Sequence, residues 1–198
     1  MDTLAADFSQ LIDGMKHNLS FAFQIVSILW TVQVLNSMWG YKLSELGLVP
    51  RSLRGIPGIF ISPFLHGDYN HIFFNSVPLF VLSDLLLLQG HKIFYFATLE
   101  IVIISGGLIW LFGKRAIYIG ASSVIMGYFG YLLSQAYFQL NATTIILAIL
   151  CLYYFGGLLL ALFPSARQNV SWGGHIFGFL AGIITAFTLP NILANLGW

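Results

Sequence analysis

Residues 116–140 read AIYIGASSVIMGYFGYLLSQAYFQL, a run without a single charged side chain. About 20 apolar residues wound as a helix cross the hydrocarbon of a bilayer, so this run is long enough to span one. Its first part holds Gly120-Ala121-Ser122-Ser123, small and hydroxylated residues just before the most apolar portion. Gly120 and Ala121 permit a tight backbone approach. The expectation is that loop 113–121 dips into the membrane, that the helix starts late, and that Ser122 lies below the surface at its N-terminus. Such an end presents free N–H groups and partial positive charge. Both would stabilise an oxyanion formed when a Ser hydroxyl attacks a carbonyl.

Outward from this run the chain keeps the same character. Of its 198 residues, 58% are hydrophobic and 8% charged, against about 25% charged in soluble domains. Only a bilayer can serve as solvent for such a surface. Six helical segments are expected, near 19–40, 70–89, 92–112, 120–140, 143–163 and 173–194. The fold class is therefore all-α, a polytopic membrane protein, with a core over 19–198. Residues 1–18 precede it as a short amphipathic segment, because Leu4, Phe8, Leu11, Ile12 and Met15 recur at helical spacing. A helix lying on the membrane surface or on the protein fits that pattern. Asp2, Asp7 and Asp13 with a single Lys among the first 17 residues make a poor start for a cleavable signal peptide.

Most connections are short, but 41–69 is long. It holds Lys42, Glu45, Arg51, Arg54, His66 and Asp68 beside Gly58-Ile59-Phe60-Ile61. It is too polar to span and too apolar to be a free linker, so it is expected to lie in the interface. Net charge is +1 without a basic block, so nucleic acid is not an expected partner. Cys151, the one cysteine, cannot form an intrachain disulfide and reads as a packing residue.

Polar groups inside a membrane need a reason. Helices 2, 4 and 6 of the expected six run in one direction, so their N-terminal ends share a face. His71 and Asn75 lie in the first turns of helix 2, Ser122 at the start of helix 4, and His175 at the start of helix 6. Parity alone brings these four to similar depth. Helices 4 and 6 must touch for Ser122 to meet His175, and small residues allow that contact in membranes. Helix 6 has Gly178-x-x-x-Gly182, and helix 4 has Ser123-x-x-x-Gly127 with Gly130 about one turn on.

Taken together, Gly120-Ala121-Ser122-Ser123, His175-x-x-Gly178-x-x-x-Gly182 and His66-x-x-x-x-His71-x-x-x-Asn75 resemble the rhomboid family of intramembrane serine proteases. The resemblance covers roughly 19–194 and implies a six-helix bundle with a long interfacial first loop. It implies that Ser122 is the nucleophile and His175 the base, a dyad without a third, acidic member. The Ser122 backbone N–H, His71 and Asn75 would form the oxyanion hole, and His66 would support the site. Helix 5, with Gly156-Gly157, would border a lateral entrance for transmembrane segments of other membrane proteins, cut where their helix unwinds. Neither a cofactor nor a metal is implied. Three positions depart from the family pattern. Ser123 stands where relatives have Gly, Met126 where many have an aromatic beneath the histidine, and Leu87 where an acid is usual, with Asp84 about one turn early.

Three other readings compete. An inactive rhomboid-like protein that binds membrane helices would keep the fold without the chemistry, although such proteins lose the Ser or the His. A small transporter is suggested by Asp84 and Glu100, intramembrane carboxyls on the half opposite Ser122, but no inverted repeat accompanies them. A metal site from His66, His71 and His175 lacks HExxH spacing and a carboxylate ligand.

Orientation draws two opposed expectations. Lys42, Arg51, Arg54, Lys114, Arg115 and Arg167 fall on the face of Ser122, against Lys16 and Lys92 on the other. The positive-inside rule would make the Ser122 face cytoplasmic. The resemblance implies the extracytoplasmic side of a bacterial cytoplasmic membrane, and is preferred because arginines of the first loop can serve structural roles.

Overall fold

A computed structural model describes residues 2–138, 142–162 and 172–197, and the described residues are helical throughout apart from loops and one isolated β-bridge. In chain order the helices are α1 (Asp2–Met38), a short α2 (Gly58–Ile61), α3 (Tyr69–Leu87), α4 (His91–Phe112), α5 (Ser122–Phe138), α6 (Ala142–Phe155) and α7 (Trp172–Asn195). A 3₁₀ stretch, Gly156–Leu162, extends α6. The expected helix ends at 140 and 163, and Arg167, lie outside the described residues.

Four helical segments are long and apolar enough to cross a membrane: Leu11–Met38, Tyr69–Leu87, His91–Phe112 and Trp172–Asn195. This is an integral membrane protein by those segments. The expected count of six differs at α5, with 17 residues, and α6, with 14. The start of α5 at Ser122 has a local cause. The chain between Gly113 and Ala121 is held in extended and turn conformations by the first loop, so the helix starts only at Ser122.

The N-terminal segment also differs from expectation. No break separates residues 2–18 from the first long helix, which is continuous from Asp2 to Met38. No proline interrupts it, and one stripe of Leu11, Asn18, Ala22, Leu29, Gln33 and Asn36 is buried along its length. Gly14 lies so close to α3 that a Cβ there would meet Leu88 Cδ2 at 2.7 Å.

Residues 39–68 are ordered. Two backbone hydrogen bonds pair Leu48 with Tyr118, Leu48 N–H to Tyr118 O at 3.0 Å and Tyr118 N–H to Leu48 O at 2.8 Å. Gly58 packs on the Leu48 backbone and Gly55 on that of Val49, with no room for a Cβ at either. Arg51 Nη1 donates to the Leu111 and Gly113 carbonyls at 3.0 and 2.8 Å, capping the C-terminal end of α4. Trp110 Nε1 donates to Ser52 O at 2.9 Å. The loop is thereby fastened to the α4–α5 connection.

The most extensive helix contact is between α5 and α7, followed by α4 with α7 and α1 with α3. The α5–α7 contact is backbone against backbone. A Cβ on Gly178 would lie 2.2 Å from Ser123 O, one on Gly182 2.0 Å from Gly127 O, and one on Gly130 2.5 Å from Phe179 O. The pairing of 178 with 123 and 182 with 127 makes the two helices parallel and in register. Without a hydrophobic force between helices in lipid, such close contact is the main source of association.

Gly182→Ala is expected to destabilise the protein by about 1–3 kcal/mol through overpacking. Gly107→Ala, in α4 with nothing within 4 Å of its new Cβ, is expected to be neutral or to stabilise by less than about 1 kcal/mol. Thermal unfolding of both variants in one detergent checks the pair.

Candidate active site

The first turn of α3 is set by Asp68, the helix N-cap, whose Oδ1 accepts the His71 N–H at 2.7 Å. Asp at an N-cap satisfies one of the donors a helix start leaves open. That bond orients the turn carrying Asn70, His71 and, one turn on, Asn75. The sequence reading named Asp68 only as a residue of the first loop, although its signal as a cap was present, an Asp immediately before a helical run.

The first turn of α5 is set by Gly120 and Ala121. Gly120 has φ +113°, a conformation that favours glycine, and its N–H donates to Ser62 O at 2.9 Å. A Cβ on Gly120 would lie 2.8 Å from His71 Cε1 and Nε2 and 3.5 Å from Asn75 Nδ2. Glycine is therefore required both for the turn and for the approach of the α3 side chains. Ala121 O accepts the Ile125 N–H at 2.9 Å, so the N–H groups at the start of α5 precede the helical ladder.

His66 stands behind this turn. It is fully buried, its ring meets His71 edge-to-face with centroids 5.0 Å apart, and its Nε2 accepts the Ala121 N–H at 3.4 Å. Accepting that bond requires a neutral imidazole. Burial, with a smaller push from His71, lowers its pKa to about 4, while the Phe64 carbonyl and Asp68 pull the other way.

A pocket of about 750 Å³ opens among these elements, lined by Ser62, Asp68, His71, Asn75, Tyr118, Gly120, Ser122, Ser123 and His175 among others. Ser122 and His175 are each partly buried and both face this space. Asn75 is 8% exposed and its Nδ2 has no protein acceptor. A buried donor left without a protein partner costs free energy, and this one sits beside Gly120. The remaining residues singled out in the sequence lie around the pocket. Met126 is fully buried one turn after Ser122, and Gly178 and Gly182 form the α5–α7 contact beneath it. Ser123 turns its backbone to Gly178. Tyr118 and Ser62 are lining residues that the sequence reading did not select; neither carries a pattern that marks it in sequence. Among the described residues no three of His, Cys, Asp and Glu gather as ligands for a metal.

The rhomboid domain profile matches residues 54–192, from within the first loop to the end of α7. The chain belongs to the rhomboid family. All the pocket residues named above fall inside the matched region. This rhomboid-family chain is 33% identical over 172 residues to an uncharacterized protein of Mycobacterium tuberculosis and to one of Mycobacterium bovis, over 83% of its own length and 72% of theirs. It is 30% identical over 136 residues to a protein of Acanthamoeba polyphaga mimivirus named as a rhomboid protein, over 66% of this chain and 73% of that one.

His66 gives a pH dependence with a fixed sign. Its folded pKa, about 4, lies below the ordinary 6.5. The unfolded chain therefore binds the proton first as pH falls. The contribution of His66 is fully present above about pH 6.5 and is lost progressively toward pH 4, to a ceiling of about 3 kcal/mol. Thermal unfolding at pH 7.5 and 4.5 is expected to show a smaller drop for His66→Gln, which keeps an acceptor for Ala121, than for the wild type.

Proposed function

We propose that this rhomboid-family protein is an intramembrane serine endopeptidase that cuts transmembrane segments of other membrane proteins through Ser122 and His175. The observation that carries this reading is the joint placement of Ser122 and His175 on one pocket, at the starts of two parallel helices in close contact, beside the unpartnered Asn75 Nδ2.

In this reading Ser122 Oγ attacks the scissile carbonyl carbon while His175 takes the hydroxyl proton. The carbonyl oxygen becomes an oxyanion held by the Ser122 N–H, His71 and Asn75 Nδ2. Collapse breaks the C–N bond, and His175 gives its proton to the leaving amine. Water then attacks the acyl-enzyme, with His175 again as base. His66, Gly120, Met126, Gly178 and Gly182 support the geometry. Ser122 is preferred to Ser123 as nucleophile because the Ser123 backbone is engaged against Gly178.

The wider architecture follows the same reading. Helices α1 and α3 to α7 make six spans. The first loop lies in the interface, a placement favoured by Leu53, 81% exposed, beside exposed Phe60. Substrate enters past α6, which packs on α5 and only lightly on α1 and α3. Gly156 and Gly157 at its end have open space around them. The pocket faces the extracytoplasmic side of a bacterial cytoplasmic membrane. Arg51 serves α4 as a cap, which lessens its weight as a topological signal.

Cleavage of a transmembrane reporter in liposomes tests the reading. Ser122→Ala and His175→Ala are each expected to reduce cleavage to background, and Asn75→Ala to slow it by about 10²–10³-fold, as for loss of one oxyanion donor. A wild type that binds the reporter without cutting it, and takes up no serine-reactive fluorophosphonate, points instead to a rhomboid-like protein that binds membrane helices without catalysis.

A further inference from the structure

Away from the pocket, a second set of polar side chains, partly or fully buried, gathers where α4, α5 and α7 meet. Glu100 of α4 is hydrogen-bonded to Thr188 Oγ1 of α7. Tyr131 of α5 faces Glu100 and lies within hydrogen-bonding reach of Gln135, and its hydroxyl donates to Gln89 Oε1 at 3.2 Å. Thr185, one turn before Thr188 on the same side, is fully buried. Glu100 is nine residues into α4, about 13 Å from the start of the helix, near the middle of a hydrocarbon layer about 30 Å thick.

Hydrogen counting decides the state of this group. The Thr188 hydroxyl has one hydrogen but two acceptor-type neighbours, the Ile184 carbonyl at 2.9 Å and Glu100 Oε1. Donation to the carbonyl four residues back is the ordinary arrangement for a helical Thr. The contact with Glu100 then needs its hydrogen from the carboxyl. Glu100 Oε2 is buried and has no protein donor, so an ionised carboxylate here would carry its charge in hydrocarbon with one oxygen unsupported. A neutral acid removes both difficulties, donating to Thr188 and leaving only a carbonyl oxygen to bury.

We propose that Glu100 is held as a neutral carboxylic acid that donates to Thr188 and so fixes α7, the helix carrying His175, against α4. Thr188 lies 13 residues beyond His175, about 20 Å along the helix. The glycine contacts seat the upper part of α7 on α5, and the Glu100–Thr188 bond holds its far half. Glu100 is thus a positioning residue remote from the pocket, and the carboxyl that suggests an ion path from sequence is a fixed donor.

Infrared difference spectra of wild type, Glu100→Gln and Thr188→Val in liposomes at neutral pH test the protonation. A carboxylic acid C=O band is expected in the wild type, absent in Glu100→Gln and shifted in Thr188→Val. Asp84 is common to all three proteins and cancels. Identical carbonyl regions in wild type and Glu100→Gln overturn the proposal. The positioning role is read from the rate of Ser122 labelling by a fluorophosphonate, an arm that rests on the proteolytic reading. Glu100→Gln, whose amide still donates, is expected to label at the wild-type rate, and Thr188→Val about three- to tenfold more slowly, the worth of one net hydrogen bond. Equal labelling of wild type and Thr188→Val overturns the positioning role. A wild type that never labels counts against the proteolytic reading alone, because the infrared result still decides the state of Glu100.

Discussion

The structure depends on the backbone contact between α5 and α7. In lipid, apolar side chains gain nothing by leaving one apolar surface for another, so two helices stay together only where they pack closely or share hydrogen bonds. Gly178 on Ser123 and Gly182 on Gly127 give that closeness with no side chain between. The same contact fixes the relative depth of the two helix starts. Ser122 precedes the first contacting residue on α5 by one position, and His175 precedes its own on α7 by three. Register along the glycine seam therefore sets the spacing at the pocket, and a slip of one turn would move one member about 5 Å away from the other.

A second constraint acts from outside the bundle. The first loop ties itself to the segment that ends at α5 through the Leu48–Tyr118 pair and the Gly120–Ser62 bond. Gly120 can take its positive φ because the loop supplies an acceptor for its N–H and because no Cβ intrudes on His71. His66 completes the arrangement by receiving the Ala121 N–H. The N-terminal turn of α5 is thus held on one side by α7 and on the other by loop residues from 48 to 66. This division of labour explains why so apolar a chain keeps a long connection containing three prolines: its role is to shape a turn, and it does so with backbone groups and small residues.

Much of this was legible in the sequence. Long apolar runs with few charges located the helices, since hydrocarbon tolerates few polar residues, and parity placed His71, Asn75, Ser122 and His175 toward one end. Gly178-x-x-x-Gly182 announced the α7 contact. Two features were less visible. The continuity of α1 through residue 18 goes with the burial of Leu11, Asn18 and Ala22 along one stripe, a tertiary effect that local periodicity resembles but does not prove. The framing of the pocket by Ser62, Asp68 and Tyr118 rests on three backbone hydrogen bonds, one N-cap and a lining ring, and such pairings leave little compositional trace. An arginine of the first loop also has structural partners that composition does not reveal. Arg51 donates to the carbonyls ending α4 and so acts as a helix cap.

The placement of uncharged and charged polar groups follows one rule on the two halves of the bundle. Near the pocket, Asn75 Nδ2 is left without a protein acceptor, and the proposed reaction would use it to hold an oxyanion. In the opposite half, Asp84 has both carboxyl oxygens buried without a protein partner, and Glu100 has one. An acid in hydrocarbon is tolerable only when neutral or matched by a donor. Thr188 offers Glu100 a partner on a neighbouring helix, and the bond formed there is strong because water does not compete with it. Burial thus serves opposite ends within one bundle: at the start of α3 it keeps a donor available, and deeper in the bundle it turns an acidic side chain into a fastening between α4 and α7.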